Sequence, residues 1–255
     1  MVVNGIILSI SMVKIKKIEN TWDKESESYS FKNSLQADYL ANYYHIENSL
    51  GNLKGMKILE VGSGSGQVSA YLASKGACVY LVDISKKSLR FSKNFFKFRK
   101  LPVCLYKQDA FKMKFKDESF DCVWNSGVLE HYDDEHKLTM LKEMWRLVKK
   151  GGKLIICVPN SFDLFFLLAK YILKLRKKWA FGYEDNVNRF KITKLVSLLG
   201  NLNYKIYSYN PIVGFWFLPY GREITNVLGF NNFKYHKKKS FFGHIIICTI
   251  TKSKI

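Results

Sequence analysis

Apolar residues in this chain fall in short bursts, separated by stretches with helical spacing. Lys57-Ile-Leu-Glu-Val61 reads as a buried strand running into Gly62-Ser-Gly-Ser-Gly66. Val68, Tyr71 and Leu72 then recur at helical intervals, and Ser65 is the expected cap of that helix. Lys75-Gly76 ends it. Cys78 to Val82 is a second strand closing on Asp83, and Ser85 opens a helix through Phe91, Phe95 and Phe96. Val103 to Tyr106 and Phe120 to Trp124 are strands three and four. A helix over 135–148 stops at Lys149-Lys150-Gly151-Gly152, and Lys153 to Val158 is a fifth strand, closed by Pro159-Asn160. Tyr204 to Tyr209 and His244 to Thr251 read as two more, and residues 22–50 as helix before the first strand.

Strands alternating with helices imply parallel pairing and right-handed crossovers, an α/β chain. Residues 161–190 and 210–242 break the alternation and are rich in Phe, Trp, Tyr and Leu. They are the expected cap. The organisation predicted is an N-terminal helical segment over 1–50, a ligand-binding core over 51–160, and cap segments with closing strands over 161–255 in the same domain.

Composition adds three points. A length of 255 residues with 47 % hydrophobic residues supports one large α/β domain. The five cysteines (Cys78, Cys104, Cys122, Cys157, Cys248) lie in apolar strand-like runs without a C-x-x-C pair. Buried reduced thiols in a cytoplasmic protein are therefore expected, rather than disulfides or a zinc site. The net charge of +20 comes with clusters at Lys14–Lys17, Lys97–Lys100, Lys174–Lys178 and Lys237–Lys239. Solvated lysine-rich faces are the favoured reading; nucleic-acid or anionic-membrane binding is the other. Met1 to Met12 lacks a basic leader and a cleavage site, so no signal peptide is expected, and Met12 is an alternative start. Phe162 to Leu173 is apolar but shorter than the roughly 20 residues that span a bilayer.

Gly62, Gly64 and Gly66 form G-x-G-x-G, with Glu60 before the turn and Asp83 at the end of the next strand. Glycines here permit positive φ and close approach of backbone to ligand. The nicotinamide fingerprint places its third glycine at position 67, which is Gln67. The pattern instead resembles motif I of the class I S-adenosylmethionine-dependent methyltransferases. Phe120-Asp-Cys-Val-Trp-Asn-Ser-Gly-Val-Leu-Glu-His-Tyr132 resembles the fourth-strand signature of the type 11 subfamily, and Leu141 to Ile156 with Cys157-Val-Pro-Asn160 is similar to it too. The resemblance covers about residues 55–160.

The resemblance implies a Rossmann-like, doubly wound, mostly parallel seven-stranded sheet with its last strand antiparallel. It implies S-adenosylmethionine as cofactor. Glu60, Gly62, Ser63, Gly64 and Gly66 would serve its methionine end, with Asn125 and Ser126 after strand four. Asp83 would accept both ribose hydroxyls, or be a turn aspartate. Ile84 would pack on adenine, or belong to the core. Asp109 and Ala110 would meet the adenine edge, with a helix N-cap as the competing role of Asp109. Trp22 and Tyr29 are placed to close over the cofactor or to pack the N-terminus. Glu130 and His131 are the catalytic candidates, His131 as general base; the competing roles are a structural carboxylate bonding backbone or Arg146 for Glu130 and a polar residue opening a loop for His131. In the ubiquinone-type O-methyltransferases another glutamate precedes this pair and the acids are associated with a divalent metal. Gly127 occupies that place, so no metal is expected.

The function implied is methyl transfer to oxygen or nitrogen of a small molecule by direct displacement. RNA methylation using the basic surface is the alternative, although residues 125–128 lack the Asn/Asp-Pro-Pro-aromatic grip for a flipped base. Methylation of a prenylated or lipid acceptor, with Phe162 to Trp179 on an anionic membrane, is a third reading.

Overall fold

The structure is a computed structural model and describes residues 16, 18–31, 37–177, 185–209 and 243–254. The part of the expected cap at 210–242 lies outside the described residues, as does the N-terminal stretch through Met12.

Seven strands form one sheet in the order β3-β2-β1-β4-β5-β7-β6. In chain order they are β1 (Lys57–Val61), β2 (Cys78–Asp83), β3 (Cys104–Lys107), β4 (Phe120–Ser126), β5 (Val148–Pro159), β6 (Asn203–Tyr209) and β7 (Ile245–Thr251). β1 pairs in parallel with β2 and β4, and β4 with β5. β7 is antiparallel to both of its neighbours, inserted between β5 and β6. The last strand in the chain is thus the one that runs against the rest.

The helices are α1 (18–25), α2 (Ala37–Leu50), α3 (Gln67–Ser74), α4 (Lys86–Phe98), α5 (Asp134–Leu147), α6 (Leu164–Leu175) and α7 (Arg189–Ser197). Alternation along each strand sorts the core into two layers. Ile58, Trp124, Ile155 and Cys157 face Ile46 of α2, Leu72 of α3 and Phe95 of α4. Leu59, Val123, Leu154 and Ile156 face Met140 and Met144 of α5 and Leu195 of α7. Burial on both faces explains why these strands read as continuous apolar runs.

Several local expectations change. Residues 22–50 divide into α1, a short 3₁₀ turn (Ser26–Ser28) and α2. Gly66, not Ser65, occupies the N-cap of α3; its φ of 65° lies in the left-handed region, and no side chain caps the helix. The expected stop at Gly151-Gly152 is a bulge within β5, which begins at Val148 directly after α5 and shifts register between Phe120 and Cys122. All five cysteines are free and sit in strands, but Cys78 and Cys104 are exposed. Each is the first residue of its strand, β2 or β3, at the amino-terminal rim of the sheet.

Candidate active site

β1 and β4 are neighbours although the chain crosses over between them. Their carboxyl ends therefore flank the switch point of the sheet, where open α/β sheets bind ligands. A cavity of about 510 Å³ opens there and runs along the carboxyl edge. At one end, beyond β2 and β3, lie Asp83, Ile84, Asp109, Ala110 and Tyr132. In the middle, above β1 and β4, lie Glu60, Gly62, Ser63, Gly64, Trp124 and Ser126. At the other end, above β5 and β7, lie Val158, Pro159, Phe166, His244 and Ile245.

The glycine turn is held by backbone. Gly62 and Ser63 N–H donate to Val82 O at 2.8 and 3.1 Å, and Gly66 N–H to Ser63 O at 2.8 Å. Gly62 has φ of 69° and Gly64 of 49°. A Cβ at Gly62 would meet Val128 Cγ2 at 2.5 Å, and one at Gly64 the Tyr29 hydroxyl at 3.0 Å. Asp83 accepts from Gly64 N–H and Ser85 N–H, both at 2.8 Å, so it fixes the turn as well as facing the cavity. Burial raises its carboxyl above the ordinary range against these bonds. Glu60 is buried and accepts from Ser69 Oγ at 2.6 Å. Burial pushes its carboxyl up to about 8; the Ser69 bond opposes this and the Asp83 charge adds to it.

A roof comes from the N-terminal segment. Asp23 Oδ1 accepts from Ser85 Oγ at 2.6 Å and from Lys87 N–H at 3.2 Å, which pins α1 to the start of α4. Trp22 then meets the His131 ring edge-on at 4.9 Å, and Tyr29 packs on Phe91 at 5.3 Å. Glu130 and His131 lie on a 3₁₀ turn, Leu129–His131, and Glu130 O accepts from Asp185 N–H at 2.7 Å. Lys137, fully buried, bonds Asp185, which ties this turn to α5.

A family model described as "Methyltransferase domain" matches residues 59–156, the stretch that carries the turn, Asp83 and the β4 loop. The ubiquinone biosynthesis O-methyltransferase of Nitrosomonas europaea is 26 % identical over 82 % of this chain and 89 % of its own length. Residues 59–156 thus carry a methyltransferase domain, and the chain is similar to S-adenosylmethionine-dependent methyltransferases. Two solved structures share the methyltransferase fold. A SAM-dependent methyltransferase of Thermotoga maritima has a TM-score of 0.61 at 20 % identity, covering 84 % of this chain and 89 % of that one. The magnesium protoporphyrin IX methyltransferase of Synechocystis PCC 6803 with bound SAH has a TM-score of 0.57 at 19 % identity, covering 92 % and 93 %. At these identities the likeness concerns the fold alone.

The cavity of this methyltransferase fits the cofactor. Asn42 Oδ1, Ser63 Oγ and Trp124 Nε1 are buried polar atoms without a hydrogen-bond partner, and all three residues border it. A ligand bearing amine, carboxylate and hydroxyl groups would satisfy such atoms. The glycine cradle offers backbone where a Cβ would intrude.

Two expected cofactor residues do not border the cavity. Asn125 is fully buried on the opposite face of β4, because Trp124 and Ser126 take the cavity-facing positions of the pleat. Gly66 packs inward; a Cβ there would meet Leu81 Cδ1 at 2.8 Å, so it serves the approach of α3 to the sheet. Asp109 borders the cavity and accepts from Phe111 N–H at 2.9 Å; a turn rather than a helix follows it, so it is not an N-cap. Trp124, Asn42, Tyr132, Phe166 and His244 border the cavity without having been singled out from the sequence. Pleat alternation from Ser126 points to Trp124; no local pattern points to Asn42 or His244.

A second cavity, about 560 Å³, lies on the α2 side of β5, β6 and β7 and is lined by His45, Lys153, Tyr207 and Thr249 among others. Of the motif stretches only 141–156 reaches it, through Lys153; the glycine turn and the β4 loop do not. His45 bonds Tyr209 Oη at 3.1 Å and Thr249 Oγ1 at 2.7 Å, and burial then the Lys153 charge lower its pKa to about 4. It is a neutral structural histidine.

Proposed function

We propose that this methyltransferase methylates a hydroxyl oxygen of a small acceptor with an apolar body, which enters at the β5–β7 end of the cavity. The observation that carries this reading is the division of the cavity. Its β1–β2–β3 side is polar and backbone-rich, suited to adenosine and the methionine end. Its β5–β7 side is walled by Val158, Pro159, Phe166 and Ile245. The oxygen preference is supported by the name of the Nitrosomonas europaea relative, an O-methyltransferase.

In this reading Asp83 takes the ribose hydroxyls, and Ile84, Asp109 and Ala110 the adenine. The Gly62–Gly64 turn, its N–H groups already bonded to Val82 O and Asp83, lets the methionine end lie close against its backbone. Glu60, Asn42 and Ser126 meet its amine, with Ser126 already held by Asn42 Nδ2 at 2.9 Å. Bound S-adenosylmethionine supplies a methyl group on a positively charged sulfur. The chain aligns the acceptor, excludes water through Trp22 and Tyr29, and provides for the acceptor's proton. His131, edge-on to Trp22, belongs to this roof. Among the described residues, the segment from Trp22 to Tyr29 acts as the roof, 51–160 as the cofactor-binding core, and Phe166 with His244 and Ile245 as the acceptor end. The free thiols fit a cytoplasmic enzyme.

The test is calorimetric titration with S-adenosylhomocysteine, followed by a panel of phenols and catechols with mass-spectrometric detection of product. Micromolar binding and a +14 Da product (about one CH₂ gained) are expected. No saturable binding sinks the reading.

A second reading concerns where the acceptor resides. Leu164, Leu168, Tyr171 and Leu175 form an exposed stripe on α6, while Phe166 on its other face walls the cavity. Lys174, Arg176 and Lys177 follow at its end. This favours a helix resting on an anionic bilayer, with a lipid-borne acceptor. No helix among the described residues is long and apolar enough to cross a membrane. Flotation with vesicles containing phosphatidylglycerol is expected to carry the protein upward, and Leu168→Glu to prevent it. A protein that stays at the bottom of the gradient removes this reading.

A further inference from the structure

Two histidines, His131 and His244, border the cavity, and His244 has a buried carboxylate behind it. His244 Nδ1 lies 2.8 Å from Asp163 Oδ2, and the two side chains are 4 % and 1 % exposed. Asp163 is itself immobilised as the N-cap of α6, accepting through Oδ1 from Phe165 N–H and Phe166 N–H at 3.0 and 3.1 Å. One carboxylate oxygen thus caps the helix and the other receives the imidazole. The His244 backbone is anchored as well, since its carbonyl accepts from Asn160 N–H at 2.7 Å. Phe166 meets the imidazole edge-on at 5.0 Å. The ring is held from three sides and borders the apolar end of the cavity.

We propose that His244, oriented by Asp163, is the general base that takes the acceptor's hydroxyl proton. The inference rests on the methyltransferase reading and adds to it the residue that performs the proton transfer and the class of acceptor, a hydroxyl such as a phenol. With Nδ1 bonded to Asp163, the tautomer that donates there presents the lone pair of Nε2. The acceptor O–H bond breaks and its proton passes to Nε2. The electron pair left on oxygen forms the new O–CH₃ bond. The S–CH₃ bond breaks with its pair remaining on sulfur, which becomes a neutral thioether. The Asp163 carboxylate stabilises the imidazolium that results.

Among the other charged groups, Lys170 lies on the same buried face of α6 as Phe166, and Glu60, Glu130 and His131 line the same cavity. Asp163 is in hydrogen-bond contact with His244 Nδ1. His131 has an aromatic neighbour, Trp22, on the roof side. Its location contrasts with that of His244, which adjoins Ile245, the partner of Pro159 across β5 and β7.

The test compares the wild type with His244→Gln, Asp163→Asn and His131→Ala, using the phenol and catechol panel as probe. His244→Gln is expected to lower kcat by about 10²–10⁴-fold, with the affinity for S-adenosylhomocysteine unchanged. It should also abolish the acid limb of the kcat pH profile. Asp163→Asn keeps the cap oxygen but removes the charge; the acid limb should survive and move to lower pH, because the imidazolium loses its counter-charge. His131→Ala should keep the limb. A His244→Gln enzyme that binds the cofactor product and retains kcat within threefold overturns the proposal, as does a limb that follows His131. So does a wild type that binds S-adenosylhomocysteine but methylates no hydroxyl in the panel. Failure to bind at all is a failure of the underlying site instead.

Discussion

The two ends of the cavity are made in different ways. The donor end is built from short runs at successive strand ends: 60–64, 83–84 and 109–110. Its contacts are local, largely backbone, and depend on two left-handed glycines. The acceptor end joins Phe166 to His244 and Ile245, and its central hydrogen bond spans 81 residues of sequence. One end is fixed by backbone close in the chain, whereas the other is assembled from side chains distant in sequence.

Substitutions on either side sharpen that contrast. The largest effect is expected at the donor end from Gly62→Val. It places a branched side chain at φ of 69° and a Cβ 2.5 Å from Val128. A loss of about 2–3 kcal/mol in stability is expected from strain and overlap, together with loss of detectable S-adenosylhomocysteine binding. Thermal melting and calorimetry check this; a variant that binds normally would show that the turn does not cradle the ligand.

Phe166→Ala should leave donor binding unchanged and raise KM for the acceptor by about tenfold, the worth of one aromatic wall. Steady-state kinetics decide it. Equal losses of both affinities would break the division into two ends.

Glu60 should couple donor binding to pH. Its carboxyl is held near 8 in the ligand-free protein, and an amine beside it favours the charged form. Affinity for S-adenosylhomocysteine should therefore rise between pH 6 and 8, by about tenfold, and level off above. Stability of the ligand-free protein follows the opposite trend. A carboxyl raised from its unfolded value of about 4.3 stabilises the fold fully below that pH. The contribution is lost as pH rises through about 8. Glu60→Gln should flatten both curves, as followed by titration and melting from pH 5 to 9.

The smallest effect is expected from His131→Ala. It removes a ring contact with Trp22 on the roof and should change kcat by about threefold or less.

The contrast also explains what the sequence made legible. Strand–turn–strand spacing located Asp83 and the glycines because those positions are fixed by neighbours in the chain. Asn125 was misplaced because period-two alternation needs a reference, and only the bond between Ser126 and Asn42 establishes which face of β4 meets the cavity. Gly66 carried the motif yet packs on Leu81, since the same residue type serves close helix packing as well as ligand contact. Cys78 and Cys104 looked buried because an apolar run does not reveal its place at the rim of a sheet. His244 was beyond reach: a lone histidine at a strand start gains its chemistry only when Asp163 arrives from α6.

The central claim is that the switch point binds S-adenosylmethionine through Asp83 while the far end handles the acceptor. Titration of S-adenosylhomocysteine into the wild type, Asp83→Ala and His244→Gln tests it most directly. The account predicts micromolar binding to the wild type, an equal affinity for His244→Gln, and a loss of about 100-fold for Asp83→Ala, the worth of two hydrogen bonds to a charged group. Equal affinity of Asp83→Ala and the wild type, or no binding to any of the three folded proteins, would contradict it.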